Sequence, residues 1–234
     1  MASKRELVRA LQVRLEKVAD KKTKNWWERY MRNVIEFRGV NLVRIREELH
    51  DWYKNNQIEN TDLNSQLELA LTFFKERYAE DKLAGVLFLQ DYLYKGIDWK
   101  VLIPKYAKLF ENGYIYDWNV CDWFSVRVLG QMIKKNGMPC ARAIAKWNSS
   151  TNVWQARASL VAFVNLTKGA EFVPIILDSC NILIRREERF AKTAVGWILR
   201  ELSKSNKDLV VSFVKKNKMH FSKEGLDNAI KYLN

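Results

Sequence analysis

The chain has 234 residues, 48% of them hydrophobic, and its 40 Lys and Arg against 27 Asp and Glu give a net charge of +13 and a pI near 9.6. That length and apolar share support a sizeable core in one or two domains and exclude a disordered chain. Only 9 Gly and 3 Pro, with no apolar run of membrane-spanning length, exclude collagen-like and transmembrane classes and favour helices with short connections.

The opening stretch, "MASKRELVRALQVRLEKVAD", reads as a charged amphipathic helix with Leu7, Leu11, Leu15 and Val18 on one side, not as a signal peptide. Trp26, Trp27, Tyr30, Met31 and Val34 mark a second helix. "DLNSQLELALTFFKERYAE" begins at an Asp cap and sets Leu63, Leu67, Ala70, Phe74 and Tyr78 on one predicted face. Further helical segments are predicted near 82–95, 99–111, 116–135, 139–147, 151–167, 171–184, 187–204, 207–217 and 222–233. Short polar punctuation such as "KGID", "KKNG" and "SKSNKD" joins them. No long linker or composition shift divides the chain, so one domain over 1–234 is expected. Helix pairs recurring every 35 to 40 residues predict an all-α, right-handed α-solenoid with a concave binding surface. A compact helical bundle has the same periodicity.

Charge and chemistry narrow the function. A basic chain with nine Trp and no membrane segment points toward nucleic acid, although a solvated basic surface would look the same from charge alone. Cys121, Cys140 and Cys180 have no CxxC spacing, and His50 and His220 share no ligand spacing with them, so no disulfide framework, metal or cofactor is expected. An intracellular location is expected: cytoplasmic if the source is bacterial, nuclear if it is eukaryotic.

Three residues break the core pattern. In "YIYDWNVCDWFSVRVLG", Asp122 lies one helical turn after Trp118 in an otherwise apolar segment, and a lone buried carboxylate is costly. In "NVWQARASLVAF", Arg157 sits among apolar neighbours, where an Arg is either paired or faces an anion. In "RFAKTAVGWILRELSK", Trp197 lies off the stripe of Phe190, Ala194, Ile198 and Leu202, and follows Gly196, which suits a close backbone approach. The plain structural alternative is an Asp–Arg bridge with two amphipathic tryptophans at packing edges. A bridge predicts destabilisation when Asp122 is neutralised; a poorly paired catalytic Asp122 predicts an unharmed or more stable fold.

The stretches "RYMRNVIEFRGVNLVRIREEL" (29–49), Trp118-x-x-x-Asp122 ending at "VLG", "NVWQARASL" (152–160) and "AKTAVGWILRELSKSNKDLVVSFVKKN" (191–217) together resemble the AlkD family of DNA alkylation-repair glycosylases. The resemblance runs in order along essentially the whole chain and implies HEAT-like repeats. It implies Asp122 as the catalytic carboxylate and Trp118 and Trp197 as aromatic contacts to the lesion nucleotide. Arg157 becomes a phosphate and active-site contact, and Tyr30 a further cleft residue on the second helix. Asp117, Asn119, Cys121 and Trp123 depart from the family's usual run.

The residue types suit the chemistry that the resemblance implies. A purine alkylated at N3 or N7 is cationic and leaves without protonation, while positive charge builds on the deoxyribose. A carboxylate stabilises that oxocarbenium and positions water, and indole faces attract the cation. No Lys stands beside Asp122 as an obvious Schiff-base nucleophile, which favours hydrolysis without a lyase step. The expected activity is a monofunctional alkylpurine DNA glycosylase on duplex DNA, acting as a monomer with no membrane partner and without needing to hold the base in a pocket. The first alternative is a non-catalytic repeat protein that binds distorted or branched DNA, and the second a helical scaffold for an acidic protein.

Overall fold

The computed structural model describes residues 3–94 and 96–233, which form two compact units, Met1–Ile97 and Asp98–Asn234. Both are helical. Among the described residues there is no strand, only an isolated bridge between Glu36 and Tyr78.

The first unit contains α1 (Lys4–Lys17), α2 (Lys21–Tyr30), α3 (Leu42–Asn55), α4 (Leu63–Phe73) and α5 (Ala79–Phe88), which runs on into a π-helical turn, Leu89–Leu93. Helix α3 packs on α1 and α5, and α4 on α5, around Leu11, Leu15, Ile45, Trp52, Phe73 and Phe88. Helix α3 was passed over in the sequence although its buried stripe of Ile45, Glu48, Leu49 and Trp52 stands at helical spacing. The predicted face from Leu63 to Tyr78 is also cut short. Helix α4 ends at Phe73, and Tyr78 is the residue before α5, whose first N–H, on Ala79, donates to the Glu36 carbonyl at 2.9 Å. Val34 likewise falls beyond α2, where Arg32 and Asn33 take left-handed backbone and turn the chain away.

The second unit contains α6 (Trp99–Glu111), α7 (Trp118–Phe124), a π-helical turn (Ser125–Leu129), α8 (Gly130–Ala145), α9 (Val153–Val161), α10 (Val173–Leu183), α11 (Arg189–Ser203), α12 (Lys207–Asn217) and α13 (Lys223–Ala229). Helix α8 breaks at Gly137, whose φ of 65° and ψ of −152° place the interruption at the predicted "KKNG" punctuation.

Helices α7, α9, α11 and α13 pack each on the next and begin at Trp118, Val153, Arg189 and Lys223, a step of roughly 35 residues. A second row, α6, α8 and α10, packs in the same succession. This is the helical-repeat arrangement that the recurring pairs predicted. Its core is filled by Phe110, Phe124, Leu129, Ile133, Leu160, Phe163, Ile176 and Ile198, all fully buried.

The join between α11 and α13 depends on glycine. A Cβ on Gly196 would stand 2.4 Å from the Gly225 carbonyl oxygen, inside any permitted contact. The missing side chain at Gly196 therefore lets the two backbones touch, as its place in the sequence suggested.

Candidate functional site

The site is built on the row of repeat helices. Asp117 is fully buried and caps α7, its Oδ1 accepting the Val120 N–H at 3.0 Å. The cap fixes Trp118 in the first turn, where it stays partly exposed, while Asn119, Val120, Cys121 and Phe124 are buried. The departures from the family's usual run thus acquire structural roles. Asp117 starts the helix, Cys121 packs inside, and Trp123 lies beneath the Arg127 guanidinium at 4.9 Å. Burial pushes the Cys121 thiol well above its ordinary range, and its Sγ sits 3.4 Å from the Trp154 carbonyl. It is therefore a packed neutral thiol rather than a nucleophile.

Asp122 lies one turn after Trp118 and three residues before the π-helical turn, at whose start the Ser125 hydroxyl donates to the Cys121 carbonyl at 2.6 Å. Such turns are frequent at functional sites, although the other one here, Leu89–Leu93, adjoins none of the predicted site residues. The Asp122 carboxylate is gripped by Arg157 from α9. Nε donates to Oδ1 at 2.7 Å and Nη2 to Oδ2 at 2.9 Å, the two parallel bonds of a guanidinium fork. Burial works against the charge on Arg157, and the Asp122 carboxylate more than offsets it, holding the guanidinium above its usual range. Of the two side chains Asp122 is the more exposed, 14% against 6% for Arg157. The carboxylate is therefore the end of the pair that remains open to a ligand, with one lone pair on each oxygen left beyond the fork.

The Nη1 donors of Arg157 point to α11. Nη1 donates to the Phe190 carbonyl at 2.8 Å and to the Thr193 hydroxyl at 3.1 Å. Asp122, Arg157 and Thr193 each stand four residues beyond the first residue of their helix. The ion pair is thus a rung joining equivalent positions of three successive repeats. Trp197 is one turn C-terminal to Thr193, partly exposed, on a helix whose Ala194, Ile198 and Leu202 are fully buried. Phe190 departs from the predicted stripe. It is only partly buried, and its ring meets that of Trp154 at 4.6 Å.

The structure therefore brings Asp122 and Arg157 into direct contact, with Trp118 one turn from the first and Trp197 one turn beyond the partner of the second. The expectation of a poorly paired Asp122 does not hold; the pair is the Asp–Arg bridge given as the structural alternative, which predicts a stability cost when the charge is lost. Arg157, implied as a phosphate contact, turns its guanidinium toward Asp122 and α11.

Tyr30 belongs to the other unit. It closes α2, is 55% exposed and stacks on Trp26, itself 56% exposed, with centroids 5.0 Å apart and planes inclined by 15°. The α2–α3 connection that borders this helix is fastened by Glu80, whose buried carboxylate accepts the backbone N–H groups of Arg38, Gly39 and Val40 at 2.7–3.1 Å.

Sequence reasoning passed over Thr193 and Trp26. Thr193 becomes visible once the repeat is numbered, because its offset matches that of Asp122 and Arg157. Trp26 was read only as a helix marker, and nothing in its spacing separates an exposed ring from a buried one. Among the described residues no cluster of His, Cys, Asp and Glu could hold a metal ion, the three cysteines are buried and free, and no helix is long and apolar enough to cross a membrane.

This architecture is shared with known proteins. The fold is similar to that of a structure described as a predicted DNA alkylation repair enzyme from Enterococcus faecalis, with a TM-score of 0.79, 16% identity, and coverage of 92% of this chain and 96% of that one. It is also similar to AlkD2 from Streptococcus mutans, with a TM-score of 0.65, 21% identity, and coverage of 99% and 100%. No curated protein matches the chain. The family model described as DNA alkylation repair enzyme matches residues 11–233, through both units and across every residue of the Asp122–Arg157–Thr193 rung. Sequence, repeat architecture and family model thus converge, and the chain belongs to the DNA alkylation repair enzymes, the AlkD family that its motifs resemble.

Proposed function

We propose that this repair enzyme is a monofunctional DNA glycosylase that hydrolyses the N-glycosidic bond of cationic alkylpurines, of the 3-methyladenine and 7-methylguanine type, in duplex DNA. The observation that supports it best is a carboxylate held in a rigid fork by a buried Arg, with one partly exposed Trp a turn away on its own helix and a second two helices along.

A cationic purine needs no acid to leave. The barrier lies in the positive charge that grows on the deoxyribose as the bond breaks, so the useful protein group is a fixed negative charge. Asp122 supplies it. Because Arg157 holds both oxygens, the carboxylate does not reorganise as the cation forms. The outer lone pairs of Asp122 orient the water that adds to the sugar, and the faces of Trp118 and Trp197 attract the cation from either side. Tyr30 and Trp26, on a helix that also carries Lys21, Lys22, Lys24 and Arg29, add aromatic and phosphate contacts to DNA. A chain acting in this way needs no metal or cofactor.

The direct test is to incubate the protein with methylated duplex DNA and separate the free bases. Release of 3-methyladenine and 7-methylguanine, with duplex affinity that falls steeply as salt rises, is the expected result. Tight, salt-sensitive binding without base release would leave a DNA-binding repeat protein, and salt-independent behaviour would remove DNA as the ligand.

Trp197→Ala is expected to slow release about two- to thirty-fold, the worth of one cation–π contact of roughly 0.5–2 kcal/mol. The melting temperature should hardly move, because the ring lies off the buried stripe of α11. A variant that unfolds would make Trp197 part of the core and remove one wall of the site.

A further inference from the structure

We infer that Thr193 is a positioning residue for catalysis, acting through Arg157 on Asp122, an inference that rests on the glycosylase reading above. A guanidinium fork fixes the carboxylate only if the guanidinium is itself fixed. The fork uses Nε and one side of Nη2, which leaves the plane free to swing about the Asp122 oxygens unless its far edge is tied. That edge is Nη1, and both of its bonds go to α11, one to the Phe190 carbonyl at 2.8 Å and one to the Thr193 Oγ1 at 3.1 Å. The Thr193 hydroxyl in turn points at the same Phe190 carbonyl, 3.5 Å away, closing a triangle of polar atoms behind the ion pair. The carbonyl is a backbone group and stays whatever residue follows it. Of the two acceptors of Nη1, the hydroxyl is the one that a side chain supplies.

The position of Thr193 gives this tie a second consequence. It is the α11 member of the row that contains Asp122 and Arg157, and Trp197 projects from the same helix one turn later. The hydroxyl therefore sets the register between the helix that carries one aromatic wall and the carboxylate that faces the sugar. Displacements of about 1 Å are enough to matter for a group whose function is to meet developing charge.

Thr193→Val keeps the shape of the side chain and removes the acceptor; Thr193→Ser restores it. In single-turnover base release from methylated duplex, Thr193→Val should lower the rate constant about ten-fold while duplex affinity stays within two-fold of the parent protein. Thr193→Ser should recover most of the rate. In an Asp122→Asn background, Thr193→Val should cause little further loss, because the group on which it acts is already neutral. Equal rates for Thr193→Val and the parent, a Ser variant no better than Val, or a full ten-fold loss on top of Asp122→Asn would each overturn the role of Thr193 while leaving the glycosylase reading in place. A parent protein that releases no base would overturn both.

Discussion

Asp122→Asn is expected to slow base release by about one to three orders of magnitude, the range found when one electrostatic contact to a transition state is removed, and to lower thermal stability at the same time. Asn retains the volume of Asp and one acceptor oxygen, so the shape of the site survives. What disappears is the negative charge that faces the oxocarbenium. The same substitution strands Arg157, which is 5% exposed and keeps its positive charge among apolar neighbours. Removing one partner of a buried pair costs about 3 kcal/mol or more, which for a chain of this size lowers the melting temperature by roughly 10 °C. Duplex affinity should hold or rise slightly, since one repulsion with phosphate is lost. Measured together, single-turnover release and thermal melts separate the two contributions. A folded variant with undiminished release would transfer the chemistry to another residue.

Arg157→Met should produce the larger stability loss, about 3–5 kcal/mol, with a fall in base release to match. Met fills much of the space but takes away the fork, and it also removes the Arg donor from the Thr193 hydroxyl and from the Phe190 carbonyl, which keeps only the Thr193 hydroxyl as a side-chain donor. Asp122, now untied, keeps its charge but not its direction. The informative experiment is the double variant Asp122→Asn/Arg157→Met. Removing both charges should recover much of the stability lost by either substitution alone, because neither ion is left buried without its partner. Activity should not recover, because the carboxylate is gone. Stability losses that simply add would mean that the two side chains are not coupled in the fold, and recovered activity would mean that the pair serves only structure.

The same residues show where local chemistry ends and packing begins. Helical character, the Asp62 cap, the break at Gly137 and the step of the repeat all follow from contacts within a few residues or from a period that the apolar positions display. They were therefore readable in order along the chain. So was the oddity of Asp122 and Arg157, since a charge amid apolar neighbours announces a partner or a ligand. Their direct pairing stood in the sequence only as one of two alternatives, because the two residues are 35 positions apart and meet only when α7 packs on α9. Thr193 was hidden for the same reason, as a threonine in a helix has no local signature of being an acceptor for a distant Arg. Helix α3 was readable by the same spacing, Ile45, Leu49 and Trp52, and was passed over; only the burial of the charged Glu48 among them needed the tertiary structure. The sequence by itself determined an all-α repeat chain, strongly basic, with one carboxylate and one guanidinium out of place. Only the tertiary structure decided that these two are a single device, because hydrogen-bond geometry depends on how neighbouring helices are set against each other, and that is fixed by packing of α7 on α9 and α9 on α11 that no local run of residues specifies.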